Sequence, residues 1–273
     1  MVSHLQKIEI KEIDGLKILD SRGNPTIEVK VKVEAGGKRV SRKAAAPSGA
    51  SRGKNEVVAF PEKSVDKAIG ELNKISKELE NTEFTDQSSF DDKLRNLDGT
   101  ENLRNIGGNT IVALSMATAK AVASISEEPL YKNYSSSKSY SLPYPLGNVL
   151  GGGEHAGKSA PDIQEFLTLP LGAESFVEAA FANARVHQRV KDLGNKKDKN
   201  FTGGKSDEGA WAPNISDDEA LETVAKACEE VSDELGFEIR AGLDVAASSL
   251  YNEKKGKYEY KRAEVGVMLS LPI

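Results

Sequence analysis

Between residues 25 and 35 apolar and charged positions alternate. Ile27, Val29, Val31 and Val33 fall on one side, and Glu28, Lys30 and Lys32 on the other. A period of two predicts a half-buried strand. Ile8 and Ile10 suggest an earlier strand, and Gly36-Gly37 offers a tight turn into a third over residues 38–45. The pattern then changes to a helical one. Val65, Ala68, Ile69, Leu72, Ile75 and Leu79 recur every three or four residues, which predicts one apolar helix face. Phe90, Leu94 and Leu97 follow Asp86, a candidate N-cap, and residues 109–126 are rich in Ala, Ile, Val and Leu. Residues 1–135 thus read as an α+β domain, a three-stranded antiparallel meander covered by helices. Ser135-Ser136-Ser137, with Pro143 and Pro145 close behind, reads as a linker.

From residue 140 to 273 strands and helices alternate. Residues 163–169 predict a strand, and 173–193 a helix stopped near Gly194. Ser216 and Glu219 form an S-x-x-E capping box opening a helix that ends near Gly236, and residues 237–245 predict the next strand. Alternation of this kind implies a parallel sheet, of which a β/α barrel is one closed form.

Composition narrows the function classes. The 273 residues are 38% hydrophobic and 29% charged, as in a globular domain. A net charge of −5 gives no electrostatic reason to expect nucleic acid. No apolar run approaches the roughly 20 residues that span a bilayer, and no signal-peptide core opens the chain. The single Cys228 has no intramolecular partner, so a reducing, cytoplasmic setting is expected.

Five loops or strand ends carry candidate chemistry. Pro47–Gly53 (P-S-G-A-S-R-G) combines small residues and hydroxyls, as a surface turn or a phosphate- or metal-approaching loop would. Gly151-Gly152-Gly153-Glu154-His155 sets a histidine behind three glycines, in a solvated loop or in one that closes on a ligand. Gln164-Glu165 puts a carboxylate among apolar strand residues, for an ion pair or for chemistry. Asp207 and Glu208 lie in the Gly-rich run 203–214, as helix caps or as acid–base groups. Asp244 ends the strand begun at Phe237, the end that faces the active site in a β/α barrel and suits a Mg²⁺ ligand.

Taken together and in order, D-S-R-G-N-P-T (20–26), P-S-G-A-S (47–51), P-L-G-N-V-L-G-G-G-E-H-A (145–156), D-I-Q-E-F (162–166), S-D-E-G-A-W-A-P-N-I (206–215) and G-L-D (242–244) resemble enolase. The resemblance runs from about residue 8 to about 260. It implies a Mg²⁺-dependent lyase that dehydrates 2-phosphoglycerate to phosphoenolpyruvate, on an α+β domain followed by an enolase-type β/α barrel. By position it makes Glu208 the proton donor to the leaving hydroxyl and Glu165 its assisting carboxylate. Gln164 and His155 become substrate contacts, Asp244 a Mg²⁺ ligand and Ser51 the ligand of a second Mg²⁺. It also implies a homodimer for the full-length family.

Arg52 stands where the family often has Thr, and Gly151 where Asn is common. About 133 residues follow position 140, against roughly 250 in a complete barrel. The family's lysine base, two further acidic ligands and its phosphate contacts are therefore expected beyond residue 273, and the apolar segment 265–273 does not resemble the family's next one. This chain alone is expected to be inactive or nearly so. The competing expectation is a non-catalytic binding protein on the same fold.

Overall fold

A computed structural model describes residues 7–47, 49, 53, 55–135, 137, 139–157 and 159–260. The chain divides into two compact units, one on each side of Ser139 and Tyr140.

In the first unit β1 (Ile8–Leu19), β2 (Pro25–Ala35) and β3 (Lys38–Ala45) form the antiparallel meander. Gly36 and Gly37 both have φ above +50°, the left-handed conformation that a two-residue hairpin turn between Ala35 and Lys38 requires. The alternating valines of β2 are fully buried. α1 (Val65–Leu79) packs on β1, and Gly15 makes the approach possible, because a Cβ there would sit 2.6 Å from Leu72 Cδ2. The expected three-stranded meander is present, and one further short strand joins its edge. β4 (Glu83–Phe84) pairs with Ile8 and Glu9 and makes the order β3-β2-β1-β4. Two residues are too few to leave a period in the sequence.

α2 (Gln87–Asp98) is capped by Asp86, whose carboxylate accepts from Ser89 N. α3 (Gly108–Ile125) covers β2 and β3 and buries Ala113, Ala117 and Ala121, a stripe of small side chains that lets helix and sheet come close. A single turn, α4 (Leu130–Asn133), closes the unit.

The second unit holds β5 (Gly147–Gly151), β6 (Glu165–Leu169) and β7 (Arg240–Asp244), in that order across one sheet. The sheet is not parallel. β6 runs against both neighbours, so only β5 and β7 share a direction. Helix parity explains the reversal. Between β6 and β7 the chain crosses the sheet twice, along α5 (Phe176–Lys197) and back along α6 (Asp217–Leu235), and re-enters at the end where it left. A parallel step needs an odd number of such crossings.

α5 continues three residues past Gly194, which is buried in the helix facing Pro213, so packing overrides the stop signal. α6 carries the complete capping box and ends at Gly236, φ +77°. Both strands start later than their apolar pattern suggests. Ile163 N donates to Asp217 Oδ1 at 2.8 Å rather than to a strand, which fixes the approach to β6 at the start of α6. Val149, Leu150, Phe166, Val186, Val190, Val224 and Val231 form the core between sheet and helices, with the Cys228 thiol buried against Thr168. Beyond β7 come a helical turn, α7 (Ala247–Leu250), and a hairpin of β8 (Tyr251–Asn252) and β9 (Lys257–Tyr258). Among the described residues no helix is long and apolar enough to cross a membrane.

Candidate active site

Because β6 is reversed, its first residue lies beside the last residues of its neighbours. Glu165 is the cross-strand partner of Gly151 on β5 and of Asp244 on β7. Directly paired residues project to the same face, so the Glu165 and Asp244 carboxylates share one end and one side of the sheet.

The loop between β5 and β6 brings His155 to the same place. Gly152 N donates to Gln164 O and Gly153 N to Pro161 O, folding the loop back on itself. A Cβ on Gly152 would lie under 3 Å from the carbonyl oxygens of Ile163 and Pro161, so this fold requires glycine there. His155 O in turn accepts from Asp207 N, tying the glycine loop to the acidic one.

His155 Nδ1 consequently faces three carboxylates, Glu208 Oε2 at 3.6 Å, Glu165 Oε1 at 3.7 Å and Asp207 Oδ1 at 3.9 Å. The imidazole is 5% exposed and Nδ1 has no hydrogen-bond partner. Gln164 is also buried, with its Oε1 unpartnered. Asn148 Nδ2 donates to Glu208 Oε2 at 3.2 Å.

The electrostatics follow from crowding. The Glu165 carboxyl is pushed up to about 7, first by burial, then by its hydrogen bond to Glu208 and by the negative charges of Glu208, Asp244 and Asp207. Two hydrogen-bonded carboxyls retain one proton between them near neutral pH. The arrangement can therefore deliver a proton to a poor leaving group.

The acidic loop is braced from behind. His187 of α5 places Nε2 3.1 Å from Gly209 O, and Trp211 Nε1 donates to His187 O at 2.8 Å. Their rings stack at 4.7 Å, with the ammonium groups of Lys205 and Lys191 at 4.4 and 4.9 Å from the indole centre. Burial holds His187 below the usual imidazole range, with the two lysines adding to the effect, so at neutral pH it is the uncharged tautomer that donates from Nε2.

Of the sequence candidates, His155, Glu165 and Glu208 come together, Asp244 joins through strand pairing, and Gln164 is next to Glu165 in the chain. Ser51 lies outside the described residues. Sequence reasoning missed Asn148, Asp207 as the third carboxylate facing His155, and the His187 brace. Asn148 and Asp207 sit inside motifs already singled out, whereas His187 carries no sequence signal beyond its place between the buried Val186 and Val190.

Residues 10–134 match the family model described as enolase, N-terminal domain, and residues 139–266 the one described as enolase, C-terminal TIM barrel domain. A protein named Enolase from Methanothermobacter thermautotrophicus is 53% identical over 257 residues, which is 94% of this chain and 61% of that protein. Proteins of the same name from Methanosphaera stadtmanae and Pyrobaculum aerophilum are 51% and 44% identical, over 93% and 91% of this chain and 60% of each relative. The chain thus spans about 60% of the length of the relatives it matches. With an antiparallel meander under helices, a sheet of the barrel type carrying carboxylates at one end, and both domain models matched in succession, the chain belongs to the enolase family.

Proposed function

We propose that the second unit carries the acid half of an enolase site, which protonates the hydroxyl leaving C3 of 2-phosphoglycerate as phosphoenolpyruvate forms. The observation that carries this reading is the Glu165–Glu208 pair, which keeps a proton near neutral pH. The proton held at Glu165 passes through Glu208, the more exposed of the two, to the departing hydroxyl, which leaves as water. Glu165 is left as the carboxylate and takes a proton back from solvent before the next turnover. Asn148 holds Glu208 Oε2 in place, and His155 and Gln164 offer buried polar atoms for the substrate.

Membership of the family implies a small-molecule substrate and a divalent metal. The residues suit a hard cation such as Mg²⁺. Asp244 supplies a carboxylate at the sheet end, beside Glu165, whose carboxyl is pushed up first by burial and then by its hydrogen bond to Glu208 and the surrounding negative charge. When bound there, Mg²⁺ supplies positive charge that offsets the charge building on the substrate carboxylate. A homodimer in the cytoplasm is part of the same proposal.

Glu208→Gln tests it. The variant is prepared in a polypeptide that continues through the rest of the barrel of the Methanothermobacter relative, and turnover is followed by phosphoenolpyruvate absorbance. A positioned general acid contributes about 10²–10⁴-fold, and a loss of that size with an unchanged melting profile is expected. Turnover like that of the unsubstituted protein overturns the assignment.

A further inference from the structure

Asp217 is the first residue of α6 and is only 5% exposed. Its own helix does not require it there, because the capping box of Ser216 and Glu219 already satisfies the start of α6. The Asp217 carboxylate serves another segment instead. Oδ1 accepts from Ile163 N, 54 residues earlier in the chain, at 2.8 Å. Oδ2 is buried with no hydrogen-bond partner among the described residues. Burial pushes the carboxyl above the usual carboxylate range, and the charges of Asp162 and Asp218 add to the effect. An acid sunk into the fold with one oxygen unused calls for a cause.

The place of the bond supplies one. Ile163 lies two residues before Glu165, and the backbone around it is pinned from the other side by the glycine loop, through Gly153 N to Pro161 O and Gly152 N to Gln164 O. Asp217 follows the acidic loop, which is docked on β5 by Trp211 N to Val149 O and Gly151 N to Trp211 O. The Asp217–Ile163 bond therefore joins the segment that delivers Glu165 to the segment that delivers Glu208.

We propose that Asp217 is a positioning residue for the acid pair, which, on the function proposed above, sets the reach of Glu165 to Glu208 by holding the Ile163 amide. It acts through the backbone and touches no reacting atom. Without it the approach to β6 loses its tie to α6. A displacement of about 1 Å at a reacting group costs on the order of a hundredfold in rate.

Two substitutions separate the acceptor oxygen from the charge. Asp217→Asn keeps an oxygen for Ile163 N, whereas Asp217→Ala removes it. In this chain the Ile163 amide is expected to exchange with deuterium at least about tenfold faster in Asp217→Ala and at the parent rate in Asp217→Asn. In the polypeptide extended through the rest of the Methanothermobacter barrel, Asp217→Ala should lower kcat about 10–100-fold with KM within about twofold. Asp217→Asn should bring kcat back to within about threefold of the parent. Trp211 fluorescence on heating checks that each variant is folded, and if Asp217→Ala does not fold, Asp217→Asn carries the test. Unchanged exchange at Ile163 or unchanged kcat in folded Asp217→Ala overturns the proposal, as does a loss of kcat beyond about tenfold in folded Asp217→Asn. The two readings fail separately: an active Glu208→Gln enzyme would sink the acid assignment while the Ile163 amide stayed protected by Asp217.

Discussion

Replacing Glu165 with Gln should make the second unit more stable, and by an amount that depends on pH. The native carboxyl titrates at about 7 against 4.5 in the unfolded chain. Between those values the native state binds the extra proton, so folding stability falls as pH rises from 4.5 to 7 and is flat beyond. The stabilising contribution is whole below pH 4.5 and gone above 7. At about 1.4 kcal/mol per unit the full span is at most about 3 kcal/mol, reduced by solvent screening and by the titration that Glu165 shares with Glu208. Gln keeps the shape of the protonated form and cannot ionise. Glu165→Gln should therefore match the parent protein at pH 4.5 and exceed it by about 1–3 kcal/mol at pH 8, a rise in melting temperature on the order of 3–10 °C. The assay is thermal or urea unfolding followed by tryptophan emission. Trp211 is the sole tryptophan and is buried in the second unit, so the signal reports on that unit. Parallel stability–pH curves for the two proteins, or a variant less stable at pH 8, would show that Glu165 is not the strained ionisable group described here.

Two further predictions concern the loops. Gly152→Ala forces a methyl against the Ile163 and Pro161 carbonyls and should cost about 1–3 kcal/mol in the same unfolding experiment; a neutral effect would mean the glycine loop has room to spare. His187→Ala removes the donor to Gly209 O and the ring stacked on Trp211. It should cost about 1–2 kcal/mol and shift the tryptophan emission, whereas an unchanged spectrum would show that the brace is not made.

Much of the first unit was legible because its strands are amphipathic: Ile27 to Val33 and Val65 to Leu79 announce period and face directly. β4 was not, since two residues carry no period. The direction of β6 was legible in principle, for two helices with no strand between them return the chain to its starting end, yet alternation alone suggested a parallel sheet. The acidic loop, the glycine loop and Glu165 each left a bland alternative open when taken singly, because the property that matters is their convergence. Only their joint order along the chain pointed to one site. The His187 brace had no such signal, as a polar residue on the flank of an amphipathic helix is ordinary.

β6 joins chemistry and packing in one alternation. Glu165 faces the carboxylate cluster, while Phe166 and Thr168 are buried. Inserting or deleting one residue within this strand would exchange those roles, sending an acid into the hydrocarbon interior and an aromatic ring into the cleft. The five-residue length of β6 is thus locked from both sides, whereas the neighbouring loop of residues 152–164 can vary only where its close-packed Gly152, His155 and Gln164 are spared. Drift in this half of the molecule should collect at the remaining positions of that loop and leave the short central strand untouched.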